Sequence, residues 1–217
     1  MKRAHAGRPL IFDLDDTLIQ SFPTYALLHQ RVAEDLGLDV PTRDALVPYA
    51  ATWEETVTAL WPGLDLEAFV RRYDELALAH PYPAFPGAVT ALETLRALGH
   101  PLFIVTKRSQ RHLFRRLAEA GVRRELFDGI FPVEVQPACK PDPRCFEPVW
   151  QALGRRSAEA LYVGDREEDR RAAGAARIEF VAVLTGPEVA MGFPGDHPAT
   201  AVIATVAALP DWLSTEP

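Results

Sequence analysis

The stretch 10–18, L-I-F-D-L-D-D-T-L, constrains the chain more than any other. Leu10, Ile11 and Phe12 form an unbroken apolar run, the signature of a strand buried on both faces of a parallel sheet. The run ends abruptly in Asp13, Asp15, Asp16 and Thr17. Carboxylates crowded at a strand end repel one another and raise each other's pKa. A divalent cation removes that repulsion, and a hard ion such as Mg²⁺ takes oxygen ligands. The alternative is a solvated acidic turn without duties. It is the weaker reading, because further reactive residues recur at later strand ends.

The rest of the chain shows what this strand belongs to. Helical spacing marks 22–37, with Tyr25, Leu28, Val32 and Leu36 on one face and Gly37 as a stop. Pro41 and Thr42 open a short helix to Leu46, Thr52 caps a third, and 65–79 carries Leu66, Phe69, Val70, Tyr73 and Leu76 as a fourth apolar face. The Pro-rich run 80–87 breaks this pattern. Residues 23–82 therefore read as an all-helical insertion, flanked by a core of 1–22 and 83–217. Beyond Gly87 helices and strands alternate: helix 88–98, strand 101–106, helix 109–121, strand 127–133, helix 143–153, strand 160–164, a helix to 175, strand 180–184 and a closing helix 199–209. That alternation predicts an α/β fold, a doubly wound parallel sheet of Rossmann-like type with helices on both faces.

Reactive residues fall where such a sheet collects ligands, at the carboxyl ends of strands. Asp13 and Asp15 end the first strand, Thr106 the second, and Asp165 the strand A-L-Y-V-G, while Lys140 precedes a helix. Carboxylates suit a metal and a nucleophile; a hydroxyl and an ammonium suit phosphate oxygens.

The motifs D-L-D-D-T-L at 13–18, I-V-T-K-R at 104–108, K-P-D-P at 140–143 and V-G-D-R-E-E-D at 163–169 appear in this order. With them the sequence resembles the haloacid dehalogenase-like superfamily, in its phosphatase branch with a helical cap after the first strand (phosphoglycolate phosphatase-like). The resemblance implies Asp13 as the nucleophile that forms an aspartyl-phosphate, and Asp15 as the acid and then the base. It implies Thr106 and Lys140 on the phosphoryl oxygens. Mg²⁺ would be held by Asp13, Asp165 and the Asp15 backbone carbonyl, with Asp169 orienting metal waters. Dehalogenases of the superfamily lack the second acid, so Asp15 favours phosphoryl chemistry. The same fold also serves phosphomutases, and a phospho-acceptor signalling module combines similar residues; both remain alternatives to a Mg-dependent phosphatase acting on a small phosphomonoester.

Totals narrow the partners. Lys plus Arg number 23 against 30 Asp plus Glu, a net charge of −7. No basic excess exists to displace the counterions of a nucleic acid, so a small phosphorylated metabolite is the expected partner, with the protein a monomer or homodimer. The apolar run after the basic N-terminus stops at Asp13, too short for a signal peptide or a membrane span. Cys139 and Cys145 are too few for a disulfide framework and read as reduced thiols. A cytoplasmic location follows as the expectation. Lys107 and Arg108 read as loop charges, Arg111, His112, Arg115 and Arg116 as a solvated helix face, and His29 as partly buried or solvated. Trp53, Trp61, Phe69 and Tyr73 read as the core of the cap.

Overall fold

A computed structural model of the chain describes residues 7–50, 52–154, 156, 159–188 and 199–215. The basic start of the chain, 1–6, lies outside the described residues. Six strands, β1 (Leu10–Phe12), β2 (Leu102–Val105), β3 (Gly129–Phe131), β4 (Leu161–Gly164), β5 (Glu179–Val183) and β6 (Ala201–Ile203), form one sheet in the order β3-β2-β1-β4-β5-β6. Every pairing is parallel, and β1 lies between β2 and β4 with Phe12 opposite Ile104 and Val163.

Alternation along β1 separates two apolar layers. Leu10 and Phe12 join one cluster with Leu92, Leu113 and Leu209, whereas Ile11 joins the other with Phe146, Ala172 and Ala176. The first layer is covered by α4 (Ala88–Ala97), α5 (Gln110–Glu119) and α8 (Leu209–Thr215), the second by α6 (Glu147–Leu153) and α7 (Glu167–Ala176). Leu10, Ile11 and Phe12 are completely buried, as a central parallel strand requires.

Between β1 and α4 stand α1 (Phe22–Leu36), α2 (Trp53–Leu60) and α3 (Leu66–Ala77), with a single 3₁₀ turn at Asp44–Leu46. Their ends are set by local chemistry. Gly37 closes α1 at φ +65, Thr52 and Glu55 form a reciprocal capping box on α2, and Asp65 accepts the Ala68 N–H at 3.0 Å to start α3. Two extended segments connect these helices to the sheet. Ile19 bridges Ala84 in antiparallel fashion, and the Gln20 N–H donates to the Pro83 carbonyl at 2.8 Å.

Two expectations need correction. The closing segment 199–209 is not one helix: Ala201–Ile203 is the edge strand β6, paired to β5 from Val181–Ala201 to Val183–Ile203, and α8 begins only at Leu209. A β-branched pair beside an open strand edge outweighs the weak helical pattern there. Arg116 is not on a solvated face either. Its side chain is 1% exposed, its guanidinium lies 3.8 Å from the Tyr82 ring centre, and it donates to the His80 carbonyl at 2.9 Å.

Candidate active site

The strand order reverses beside β1, because β2 and β3 continue to one side while β4, β5 and β6 continue to the other. The carboxyl ends of β2, β1 and β4 therefore open onto one crevice. Asp13 follows β1, Thr106 follows β2 and Asp165 follows β4, and the Asp13 N–H donates to the Val163 carbonyl at 2.9 Å.

Lys140 stands at the centre of the buried part. Its ammonium donates to Asp13 Oδ1 at 2.6 Å, Asp169 Oδ1 at 2.7 Å and the Tyr162 hydroxyl at 2.9 Å, which engages all three of its hydrogens. Tyr162 in turn donates to Asp169 Oδ1 at 2.8 Å. Asp169 also accepts the Arg166 N–H at 3.1 Å, so the same carboxylate caps α7. Lys140, Asp13, Asp165 and Asp169 are all nearly or wholly buried.

Asp13, Asp165 and Asp169 offer carboxylate oxygens within 4.8 Å of one another. With all three ionised, the one ammonium among them would leave two negative charges in a site removed from water. Burial pushes Asp13 up to about 7, even though Lys140 opposes the shift. Asp165 is driven well above the carboxylate range by burial and by its neighbours Asp13 and Asp169. Thr17 donates to Asp165 Oδ1 at 2.9 Å, but Asp165 Oδ2 is buried with no hydrogen-bond partner among the described residues. Glycine backbone leaves room around these oxygens: a Cβ on Gly186 would fall 1.9 Å from Asp165 Oδ2, and one on Gly164 2.5 Å from Asp169 Oδ2. An unpartnered oxygen, two surplus charges and an all-oxygen donor set fit one divalent cation.

Asp15 and Asp16 part company here. The Asp15 carboxylate is held by Arg108, whose Nε donates to Oδ2 at 3.0 Å and whose Nη2 meets Oδ1. Asp16 turns the chain at φ +57, and its Oδ1 accepts the N–H groups of Ser21 and Phe22, each at 3.0 Å. It thus caps α1, where Ser21 itself makes no side-chain cap. Thr106 is buried, with its Oγ1 accepting the Arg108 N–H at 3.1 Å and its carbonyl accepting Gln136 Nε2 at 2.7 Å.

Asp13, Asp15, Thr106, Arg108 and Lys140 line a cavity of about 120 Å³ whose opposite wall comes from Phe22 and from Tyr25, Tyr49, Trp53, Tyr73 and Tyr82 of the insertion. Trp53 and Tyr73 are thus lining as well as core, while Trp61 and Phe69 are core alone. His29 is fully buried behind that wall. It contacts the Tyr25 carbonyl through Nδ1 at 2.7 Å and accepts Trp53 Nε1–H at Nε2 at 3.0 Å. Contacts across the crevice link the insertion to the sheet: Arg166 Nη2 donates to the Val47 carbonyl at 3.2 Å, and Lys107 lies 5.3 Å from the Tyr49 ring centre.

Sequence reasoning passed over several of these. Arg108 looked like a loop charge, although its place two residues after Thr106 put it at the same strand end. Tyr162 was hidden inside an apolar strand, where its hydroxyl gave no signal. Gln136 and Gly186 lay in segments without pattern.

Residues 10–183 match the model of the haloacid dehalogenase-like hydrolase family. A phosphoglycolate phosphatase of Chromobacterium violaceum is 34% identical over 195 residues, covering 82% of this chain and 86% of that protein. The crystal structure of a haloacid dehalogenase-like hydrolase from Bacteroides fragilis matches with a TM-score of 0.78 at 26% identity, covering 94% of this chain and 99% of that one. A Thermotoga maritima protein named as a β-phosphoglucomutase matches at 0.73 and 24% identity over 95% and 98% of the two chains, a likeness of fold alone. The chain belongs to the haloacid dehalogenase-like hydrolases, among their phosphatase-like members.

Proposed function

We propose that the protein hydrolyses a small phosphomonoester, with Asp13 as nucleophile. The observation that carries this reading is the buried Asp13–Lys140–Asp169 cluster beside Asp165, opening into a cavity of small-molecule size. Asp13 Oδ1 is fixed by Lys140, which leaves Oδ2 to attack phosphorus and form an aspartyl-phosphate. Asp15 donates a proton to the departing alkoxide and then takes one from the water that cleaves the acyl phosphate. Thr106 and Lys140 contact the phosphoryl oxygens, the lysine by exchanging one of its present carboxylate partners for the substrate.

Asp13, Asp165 and the Asp15 backbone carbonyl would hold Mg²⁺, with Asp169 in support. When bound, the ion neutralises the surplus acid charge and lowers the electrostatic barrier between an anionic nucleophile and an anionic substrate. Residues 23–82 serve as a cap over the core formed by 1–22 and 83–217, with its aromatic wall excluding bulk water from the crevice. Among the described residues no helix is long and apolar enough to cross a membrane.

The test is turnover of p-nitrophenyl phosphate with Mg²⁺, with EDTA, and by Asp13→Asn. The proposal requires activity in the first case only. Metal-independent turnover or an active Asn variant overturns it, and release of inorganic phosphate from a hexose phosphate, with no isomeric product, separates hydrolysis from mutase chemistry.

A further inference from the structure

The cavity takes its polarity from one wall only. Among the described residues, every cation that lines it on the sheet side already has a carboxylate of this chain. Lys107 meets Glu168 at 2.9 Å, Arg166 meets Glu188 at 3.0 Å, Arg108 is engaged by Asp15 through two nitrogens, and Lys140 is engaged by Asp13 and Asp169. His112 faces Asp74 at 2.9 Å. A second anionic group on the substrate would have to displace one of these carboxylates, at the desolvation cost of both anions.

The opposite wall is aromatic and uncharged. Tyr25 and Tyr49 lie 6.3 Å apart, and Trp53 lies 4.7 Å from Tyr73. The Tyr73 and Tyr82 hydroxyls meet each other at 3.1 Å. Burial raises the phenols of Tyr25, Tyr49 and Tyr73, so they stay neutral. Among the described residues, the Tyr25 hydroxyl is buried there with no hydrogen-bond partner. Rings of this kind pack against flat apolar faces, and an unpaired phenol such as Tyr25 offers a neutral hydrogen bond.

We propose that the leaving group this cavity selects is an uncharged alcohol bearing a flat apolar face, of the arylalkyl class, rather than a carboxylate-bearing alcohol. This rests on the phosphomonoesterase reading above. Phosphoryl oxygens sit at the Asp13 end, where Lys140 exchanges one carboxylate for them, the ring of the alcohol stacks among Tyr25, Tyr49 and Trp53, and Lys107 and Arg166 keep their carboxylate partners.

The experiment compares benzyl phosphate, ethyl phosphate and phosphoglycolate as substrates of the full chain with Mg²⁺, all three releasing alkoxides. Benzyl phosphate is expected to show a kcat/KM at least tenfold above the other two. Tyr49→Ala is expected to lower kcat/KM for benzyl phosphate at least fivefold more than that for ethyl phosphate, chiefly through KM, and Tyr49→Phe to restore it. Calorimetric binding of benzylphosphonate and 2-carboxyethylphosphonate reads the same preference without turnover. Phosphoglycolate equal to or better than benzyl phosphate overturns the proposal. If neither these esters nor p-nitrophenyl phosphate is hydrolysed but benzylphosphonate binds at least tenfold tighter, the cavity's preference for an uncharged aromatic group stands and the hydrolase reading falls. Without either turnover or preference, both fall.

Discussion

Lys140 Nζ lies between two buried carboxylates, 2.6 Å from Asp13 and 2.7 Å from Asp169, and is itself 2% exposed. A single ammonium therefore separates acids that follow β1 and open α7. Removing it leaves two unscreened anions in a dry site, a change that typically costs roughly 3–5 kcal/mol.

Lys140→Met should accordingly lower both stability and turnover, the former by roughly 3–5 kcal/mol in urea unfolding and the latter by more than a hundredfold. Tyr162→Phe keeps the ammonium and removes only the hydroxyl that joins it to Asp169. Its cost should be about 1 kcal/mol, the scale of one buried hydrogen bond.

Asp165 gives a metal-specific readout. Wild-type protein should unfold at higher temperature with Mg²⁺, gaining about 2.7 kcal/mol at a hundred times the dissociation constant. Asp165→Asn relieves repulsion with Asp13 and Asp169, so without metal it should be at least as stable as wild type, yet Mg²⁺ should no longer raise its Tm. A metal-dependent shift of wild-type size in the Asn variant contradicts the cation site.

His29 makes stability depend on pH. Burial holds it down at about 4 against an ordinary 6.5. The unfolded chain therefore binds a proton below pH 6.5 that the folded chain refuses. The stability that neutral His29 allows is complete above pH 6.5 and is lost progressively as pH falls towards 4, by roughly 3 kcal/mol. Acidic groups titrate over the same range, so the measure is a difference: unfolding free energy at pH 7.5 minus that at pH 4.5, in wild type and in His29→Gln. The variant should lose less on acidification.

Asp16→Ala should destabilise by roughly 1–3 kcal/mol, because it removes the cap of α1 and places alanine at φ +57. Asp16→Asn retains both an acceptor and tolerance of that backbone region, and should cost less than half as much. Chemical denaturation of the two variants decides whether Asp16 is structural.

The first strand, the helix-strand alternation and the chemical character of the crevice could be read from the sequence alone, because each is written in local pattern: an apolar run, a period, a strand end. The helix stop at Gly37 and the helix start at Thr52 are local in the same sense, set by backbone freedom and by a hydroxyl within reach of its own helix. What local pattern does not contain is the choice of partner. Asp13, Asp15 and Asp16 stand together in the chain, yet one meets Lys140, one meets Arg108, and one caps α1. Leu-Tyr-Val-Gly reads as a plain buried strand until its tyrosine finds Lys140 and Asp169. Ala201–Ile203 became a strand because β5 presented an unpaired edge. These assignments were made only when distant segments were packed against one another, since a buried charge is fixed by which opposite charge or donor the fold brings within about 3 Å of it.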